Sequence, residues 1–359
     1  MLAAVAALLL LLVGAYFLWE RPPAIQEPEP SPTPTPTPEA TPEASPTPEP
    51  MPEGEAFDTT RQDGIYTILL VGLDQVSMST DTIVVGRLDT NKHEMNFVSI
   101  PRDTIINADI EMRKINAVYA GGERFGGNGI ESLMNQVRRL TGFTPDCYAL
   151  INLSTFVDVI DAIGGVDFDV PIEMGYSFED LVPGLYIYLA PGYQHLDGYE
   201  AMCVVRYRFG YTTGDLGRIE TQHAFLKACA SQFISLGNIP HAKQVVNILA
   251  ENLQTDLSAA NIAWFLRQAL QCRSDDIHFY MLPSEPRNLQ GYSYAVPHIQ
   301  EWLDLLNSAL NPYDREIVAS DLNMVYCSGS GYAATTMLDG AWYYYDFESE
   351  DFWKQFMFG

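Results

Sequence analysis

Apolar residues along this chain fall into short runs closed by glycine, proline or acid, and the spacing of the runs predicts the fold. Ile65 to Gly72 (IYTILLVG) is a dense apolar run ending on glycine, the pattern of a buried strand. Thr82–Leu88, Glu94–Ile100 and Cys147–Ile151 are further strand-like runs. Ile130, Leu133, Met134, Val137 and Leu140 recur at helical spacing, as do Phe156, Val157, Ile160 and Ile163 before Gly164-Gly165 stops them. Gln244–Leu253, Ala259–Leu270 and His298–Leu310 predict amphipathic helices. Strands interleaved with helices predict an α/β (α+β) layered domain. It spans 57–312, and 313–359 forms an aromatic-rich C-terminal extension without helical periodicity.

The N-terminal pattern is different. Residues 1–19 carry no charge and are about long enough for one bilayer span. No small-x-small cleavage site or basic n-region marks a removable signal, so the segment reads as a retained anchor. The missing basic residues leave its orientation open to the positive-inside rule. Residues 20–56 are Pro, Thr, Ser and Glu, with Pro-Thr alternation from Ser31 to Pro38. Such a stretch has little to bury and predicts a disordered stalk with a reach on the order of 100 Å.

The charge balance narrows the partners. Forty-six acids against 20 bases give a net charge of −26, which argues against nucleic acid. Five cysteines at irregular spacing do not form a disulfide framework. Cys147, Cys203 and Cys229 read as small core residues, and Cys272 and Cys327 as free thiols rather than a pair. The glycines from Gly121 to Gly129 form a loop without the Lys-Ser/Thr of a phosphate loop. Trp342-Tyr343-Tyr344-Tyr345 reads as C-terminal packing rather than a sugar platform.

Polar residues interrupt the apolar runs at five places. Asp74 follows the first strand, and Asp81 opens the second in Ser79-Thr80-Asp81-Thr82. Pro101-Arg102-Asp103-Thr104 closes the third strand. Arg206-Tyr207-Arg208 ends the apolar run Cys203-Val204-Val205, and Gly214 to Gln222 opens a helix. Two carboxylates at neighbouring strand ends suit Mg²⁺. Arg206 and Arg208, two apart on an extended backbone, would point the same way and suit pyrophosphate. Asp215, Arg218 and Gln222 fall on one stripe at a helix start, where free N–H groups favour anions. Taken singly, each segment also fits turn chemistry, a surface ion pair or an N-cap. His223 reads as a solvated helix position.

In this order, and with Lys114-Ile115-Asn116-Ala117-Val118-Tyr119, Ile163-Gly164-Gly165-Val166-Asp167 and Pro191-Gly192…His195-Leu196-Asp197-Gly198, the segments resemble the LytR–CpsA–Psr family over roughly residues 63–312. The resemblance implies a central, mostly β sheet flanked by helices, with an apolar polyprenyl-binding pocket. It implies an extracytoplasmic, single-pass membrane phosphotransferase that moves a glycopolymer from undecaprenyl pyrophosphate to a peptidoglycan hydroxyl. A polyprenyl-pyrophosphate-binding protein or pyrophosphatase without ligase turnover is the alternative. Carried over, Asp74 and Asp81 match Mg²⁺-binding acids. Arg102, Arg206, Arg208 and Arg218 match pyrophosphate-binding arginines, Gln222 matches a polar contact there, and Asp103 matches a family acid at the catalytic site. The chain departs from the family pattern at Ser79 and Thr221, where arginine is usual. Arg87 and Lys114 are the candidate replacements.

Overall fold

The structure, a computed structural model, describes residues 22–25, 60–73, 80–108, 112–122, 127–179, 184–207, 209–212, 215–235, 239–289, 291–328 and 331–335. The expected anchor at 1–19 and all of the expected stalk but residues 22–25 lie outside them, as do Ser79 and Trp342–Tyr345. Among the described residues no helix is long and apolar enough to cross a membrane.

The chain opens with β1 (Ile65–Leu73), β2 (Thr80–Asp89) and β3 (Glu94–Ile100), an antiparallel meander. One helical turn at Ala117–Ala120 leads to α1 (Gly129–Thr141), which starts at a capping box between Asn128 and Glu131. It ends on Gly142 at φ 77°, the left-handed cap that glycine adopts without cost. Next come β4 (Cys147–Asn152), α2 (Leu153–Ala162) and the hairpin-like strands β5 (Val166–Val170), β6 (Met174–Ser177), β7 (Tyr186–Leu189) and β8 (Gly192–Leu196). Helices α3 (Gly198–Arg206), α4 (Asp215–Ser235) and α5 (Ile239–Asn252) precede β9 (Gln254–Thr255) and α6 (Ala259–Ala269). Strands β10 (Ile277–Met281), β11 (Ser284–Leu289) and β12 (Tyr292–Pro297), helix α7 (Ile299–Leu305), and the pair β13 (Val325–Ser328) and β14 (Gly331–Ala334) complete the fold.

The central sheet is mixed, in the order β10-β3-β2-β1-β4-β9. Its parallel pairs, β1 with β4 and β3 with β10, join segments far apart in sequence. One apolar core packs this sheet against α1 and the C-terminal helix, around Leu69, Val85, Val98, Leu133 and Trp302. Tyr313, Ile317, Leu322 and Met324 belong to the same core, so residues 313–324 are integral to the domain. A second core joins α2, α3, α4 and β5–β8 around Val166, Phe178, Met202 and Phe225. Gly198 brings α3 against α2: a Cβ there would lie 2.5 Å from Val157 O.

One expected element is different. The run Cys203-Val204-Val205 is helical, and Arg206 is the last residue of α3, not part of a strand. Asp197 caps that helix by accepting from Glu200 N, and Glu200 returns a bond to Asp197 N. The capping box outweighs the β-branched pair. The inference that Arg206 and Arg208 share one side of an extended backbone therefore fails, and Arg208 lies outside the described residues. Each cysteine is free, as expected.

A buried ion pair fixes the start of the sheet. Asp146 accepts from Thr67 N at 2.7 Å, Thr67 Oγ at 2.8 Å and the Arg61 guanidinium at 2.6 Å, with its side chain fully buried. Removing one partner of a buried pair strands the other charge. Asp146→Ala is expected to lower unfolding stability by about 3–5 kcal/mol, read as a lower urea midpoint.

Candidate functional site

A cavity of about 310 Å³ opens where β2 begins and β3 and β10 end, beside the first turns of α4. Thr82, Ser99 and Met281 come from the strands, Arg218 and Gln222 from the helix, and Ser293, Tyr294 and Ala295 from β12. Arg102 and Asp103, just beyond β3, complete the wall. Arg102, Asp103, Arg218 and Gln222, singled out from sequence, thus line one cavity.

Backbone hydrogen bonds hold the Pro101–Ile105 turn. Thr104 N donates to Pro101 O, Ala295 N to Asp103 O and Ile105 N to Ala295 O. From the other side, Asn116 N donates to Arg102 O and Ile115 N to Thr104 O. This lacing carries Lys114 onto Asp103, with Nζ 2.8 Å from Oδ1. Arg102 Nε lies 3.7 Å from the other carboxylate oxygen. Lys114 also sits 5.8 Å from the centroid of the Tyr294 ring, where the π face favours a cation. Of the two candidate replacement cations, Lys114 therefore stands beside the cavity. Arg87 is buried beside Asp89 at the other end of β2.

Arg206 is placed differently. Its guanidinium lies over Tyr176, 5.0 Å from the ring centroid, and 5.9 Å from that of Phe178. It is not among the cavity-lining side chains. The end of α3 still reaches the site through Gln222, whose Nε2 donates 2.8 Å to Val205 O, a carbonyl of the last helical turn.

Asp74 lies outside the described residues, and Asp81 is described only in its backbone. The β1–β2 register jumps there: Gly72 faces Thr82 and Leu73 faces Thr80, so Asp81 is the extra residue of a bulge. Its neighbour Thr82 lines the cavity. Among the described residues no group of three or more acids, histidines or cysteines gathers as a metal cage. Magnesium commonly uses one or two carboxylates with substrate phosphates, so the Asp74–Asp81 pair fits that ion in chemistry.

Thr221 is buried, and its hydroxyl donates 2.8 Å to Gly217 O. His223, expected on a solvated helix face, is instead partly buried: Nε2 lies 3.0 Å from Ser99 Oγ, and Phe279 packs 6.1 Å away. Burial holds the His223 pKa below its ordinary value. Packing of α4 onto β3 and β10 brings these groups together, so helical spacing alone could not have found them.

The histidines give a pH prediction. Because burial depresses the folded pKa of His223, the unfolded chain binds the extra proton first. Its contribution is neutral above about pH 6.5 and becomes destabilising as pH falls through that value. His195, paired with Asp167 at 2.8 Å and raised in pKa mainly by that bond, has the opposite sign. Its support is present below about pH 6.5 and is lost as pH rises through the raised folded value, though exposure weakens it. Chemical denaturation from pH 7.5 to 5 is expected to show a smaller acid loss in His223→Gln and a larger one in His195→Gln.

Residues 38–310 match the LytR_cpsA_psr family. The polyisoprenyl-teichoic acid–peptidoglycan teichoic acid transferase TagV of Bacillus subtilis (strain 168) is 29% identical over 201 residues, 54% of this chain and 50% of that protein. The match thus spans half the length of that relative. The corresponding transferase TagU of Oceanobacillus iheyensis is 27% identical over 256 residues, 69% of this chain and 76% of that protein. The crystal structure of B. subtilis TagV matches with a TM-score of 0.58 at 24% identity, covering 69% of this chain and 96% of that one. The structure of TagT bound to LI-WTA matches with a TM-score of 0.55 at 20% identity, covering 70% and 91%. The two structures share the mixed sheet with flanking helices, and with the family match covering well over half of its length, this chain belongs to the LytR_cpsA_psr family.

Proposed function

We propose that this protein is an extracytoplasmic phosphotransferase that moves a glycopolymer from a polyisoprenyl pyrophosphate carrier onto a peptidoglycan hydroxyl. The observation that carries the reading is one cavity with Arg102 and Arg218 on opposite elements and Lys114 at Asp103 beside it. The names of the TagV and TagU relatives support the donor and acceptor classes. In phosphoryl transfer the protein chiefly positions the groups and neutralises charge, and paired guanidinium groups bind phosphate oxygens in bidentate fashion. On this reading Arg102 and Arg218 clamp the pyrophosphate, Gln222 orients it, and the carrier tail occupies an apolar pocket. Asp74 and Asp81 would hold Mg²⁺, which when bound adds charge neutralisation at the phosphates. Arg206, which packs over Tyr176 and Phe178 and not in the cavity wall, is left out of this clamp.

Residues 1–19 act as the membrane anchor and 20–56 as the stalk in this proposal. A lipid-linked donor confines the chemistry to the membrane surface, and a tether keeps the domain concentrated there.

The test incubates purified protein with Mg²⁺, an undecaprenyl-pyrophosphate-linked oligosaccharide and peptidoglycan. Covalent glycan on peptidoglycan is the expected product. Release of free glycan phosphate would mark a pyrophosphatase, and retention without turnover a binding protein. Arg218→Ala is expected to weaken carrier binding by about 1.5–3 kcal/mol, a tenfold to hundredfold rise in Kd. Unchanged binding would remove Arg218 from the clamp. Deleting residues 1–56 is expected to leave a folded domain active on donor in detergent but defective in cells. Full complementation of a deletion strain by the truncated form would reject the tether.

A further inference from the structure

Phosphoryl transfer to a hydroxyl must dispose of one proton, and the anion clamp does not take it. Two side chains at the cavity have the chemistry to do so. Ser99, the penultimate residue of β3, lines the cavity beside Ile100, Arg102 and Asp103. Its Oγ is 3.0 Å from Nε2 of His223, which follows the cavity-lining Gln222 on α4. The imidazole is backed by the Phe279 ring of β10. Burial favours its neutral form, which presents a lone pair to the serine hydroxyl. The cavity-lining carboxylate Asp103 is already engaged, with Lys114 Nζ at 2.8 Å and Arg102 Nε at 3.7 Å.

We propose that Ser99 and His223 form a proton relay for the acceptor hydroxyl; the proposal rests on the phosphotransferase reading. As the acceptor oxygen bonds to phosphorus, its proton passes to Ser99 Oγ, and the serine proton passes to His223 Nε2. The bond from phosphorus to the bridging oxygen breaks, and its electron pair leaves with the polyisoprenyl phosphate, whose charge faces Arg102 and Arg218. The imidazolium then returns the proton to the departing phosphate or to water. The relay uses the tautomer protonated on Nδ1. Ser99 is the catalytic residue of the pair and His223 the positioning base behind it.

A simple staple between helix and sheet would show the same hydrogen bond, so the variants must separate the two roles. His223→Gln keeps an amide that can bond to Ser99 but cannot carry the proton. Ser99→Ala removes one oxygen, and Ser99→Thr keeps the hydroxyl. Transfer and carrier binding are measured side by side, with thermal midpoints as a fold check. For His223→Gln and Ser99→Ala the relay predicts a carrier Kd within twofold of wild type and a kcat lower by about 10²–10⁴, the usual share of general-base catalysis. Ser99→Thr should recover most of that loss. A kcat within threefold of wild type in His223→Gln would overturn the relay, as would parallel losses of binding, turnover and thermal midpoint in Ser99→Ala. If His223→Gln does not fold, the Ser99→Ala and Ser99→Thr comparison decides alone. A wild-type protein that binds carrier but transfers nothing would reject the phosphotransferase reading and the relay with it, whereas active wild type with unaffected variants rejects only the relay.

Discussion

Arg102 and Asp103 keep their positions because the backbone that carries them is hydrogen-bonded on both sides. Ala295 of β12 exchanges bonds with Asp103 and Ile105, while residues 115 and 116 donate to Thr104 and Arg102. Each such bond contributes about 1 kcal/mol net, so the lacing matters less for stability than for geometry. It fixes three segments, near residues 102, 114 and 294, into one wall. Lys114 then meets Asp103, Tyr294 meets Lys114, and Ser99 faces the same space from the strand that leads into the turn. A misplacement of about 1 Å at such a site can cost catalysis a hundredfold, which is the physical reason for so much backbone order around so few side chains.

The wall also resolves an electrostatic tension. The chain carries a net charge of −26, yet its proposed donor is a pyrophosphate. Screening limits the reach of exposed charges to roughly 8 Å at physiological salt, so the groups around the cavity govern the anion. Among the described side chains there, Arg102, Arg218 and Lys114 outnumber Asp103. The acidic remainder disfavours nonspecific adhesion of polyanions elsewhere on the surface.

Most of the sheet was legible because its strands bury one face fully and cover much of the other, and so read as apolar runs. The bounds of β3 coincide with those predicted, and those of β1, β2 and β4 differ by a residue or two. Helix α3 was less legible: its Asp197-Gly198-Tyr199-Glu200 start is a capping box, but the two β-branched valines before Arg206 carry a strand preference that the helix overrides. Four residues of the cavity wall were legible because arginine, acid and amide interrupt apolar patterns at element ends. Lys114 was legible only as a candidate replacement, and His223 not at all as a site neighbour. Both depend on contacts between residues more than ten positions apart, 103 with 114 and 99 with 223. The order of strands is of the same kind: the parallel pairing of β10 with β3 leaves no local mark in either run.

Helix α4 explains how one element serves both a core and a cavity. Phe225 is fully buried, its ring 5.2 Å from that of Phe168 and 6.4 Å from that of Phe156. Thr221 lies one turn before it, so it shares the buried face at i, i+4 spacing. Arg218 and Gln222 have that same spacing on the adjacent face, turned to the cavity. Helical geometry at 3.6 residues per turn then assigns the roles: the position where arginine is usual in the family points into packing here, and its hydroxyl is returned to Gly217 O. A guanidinium at 221 would have to leave a filled core before it could meet an anion. Lys114 stands instead at Asp103, held by the same backbone lacing that sets Arg102 and Asp103.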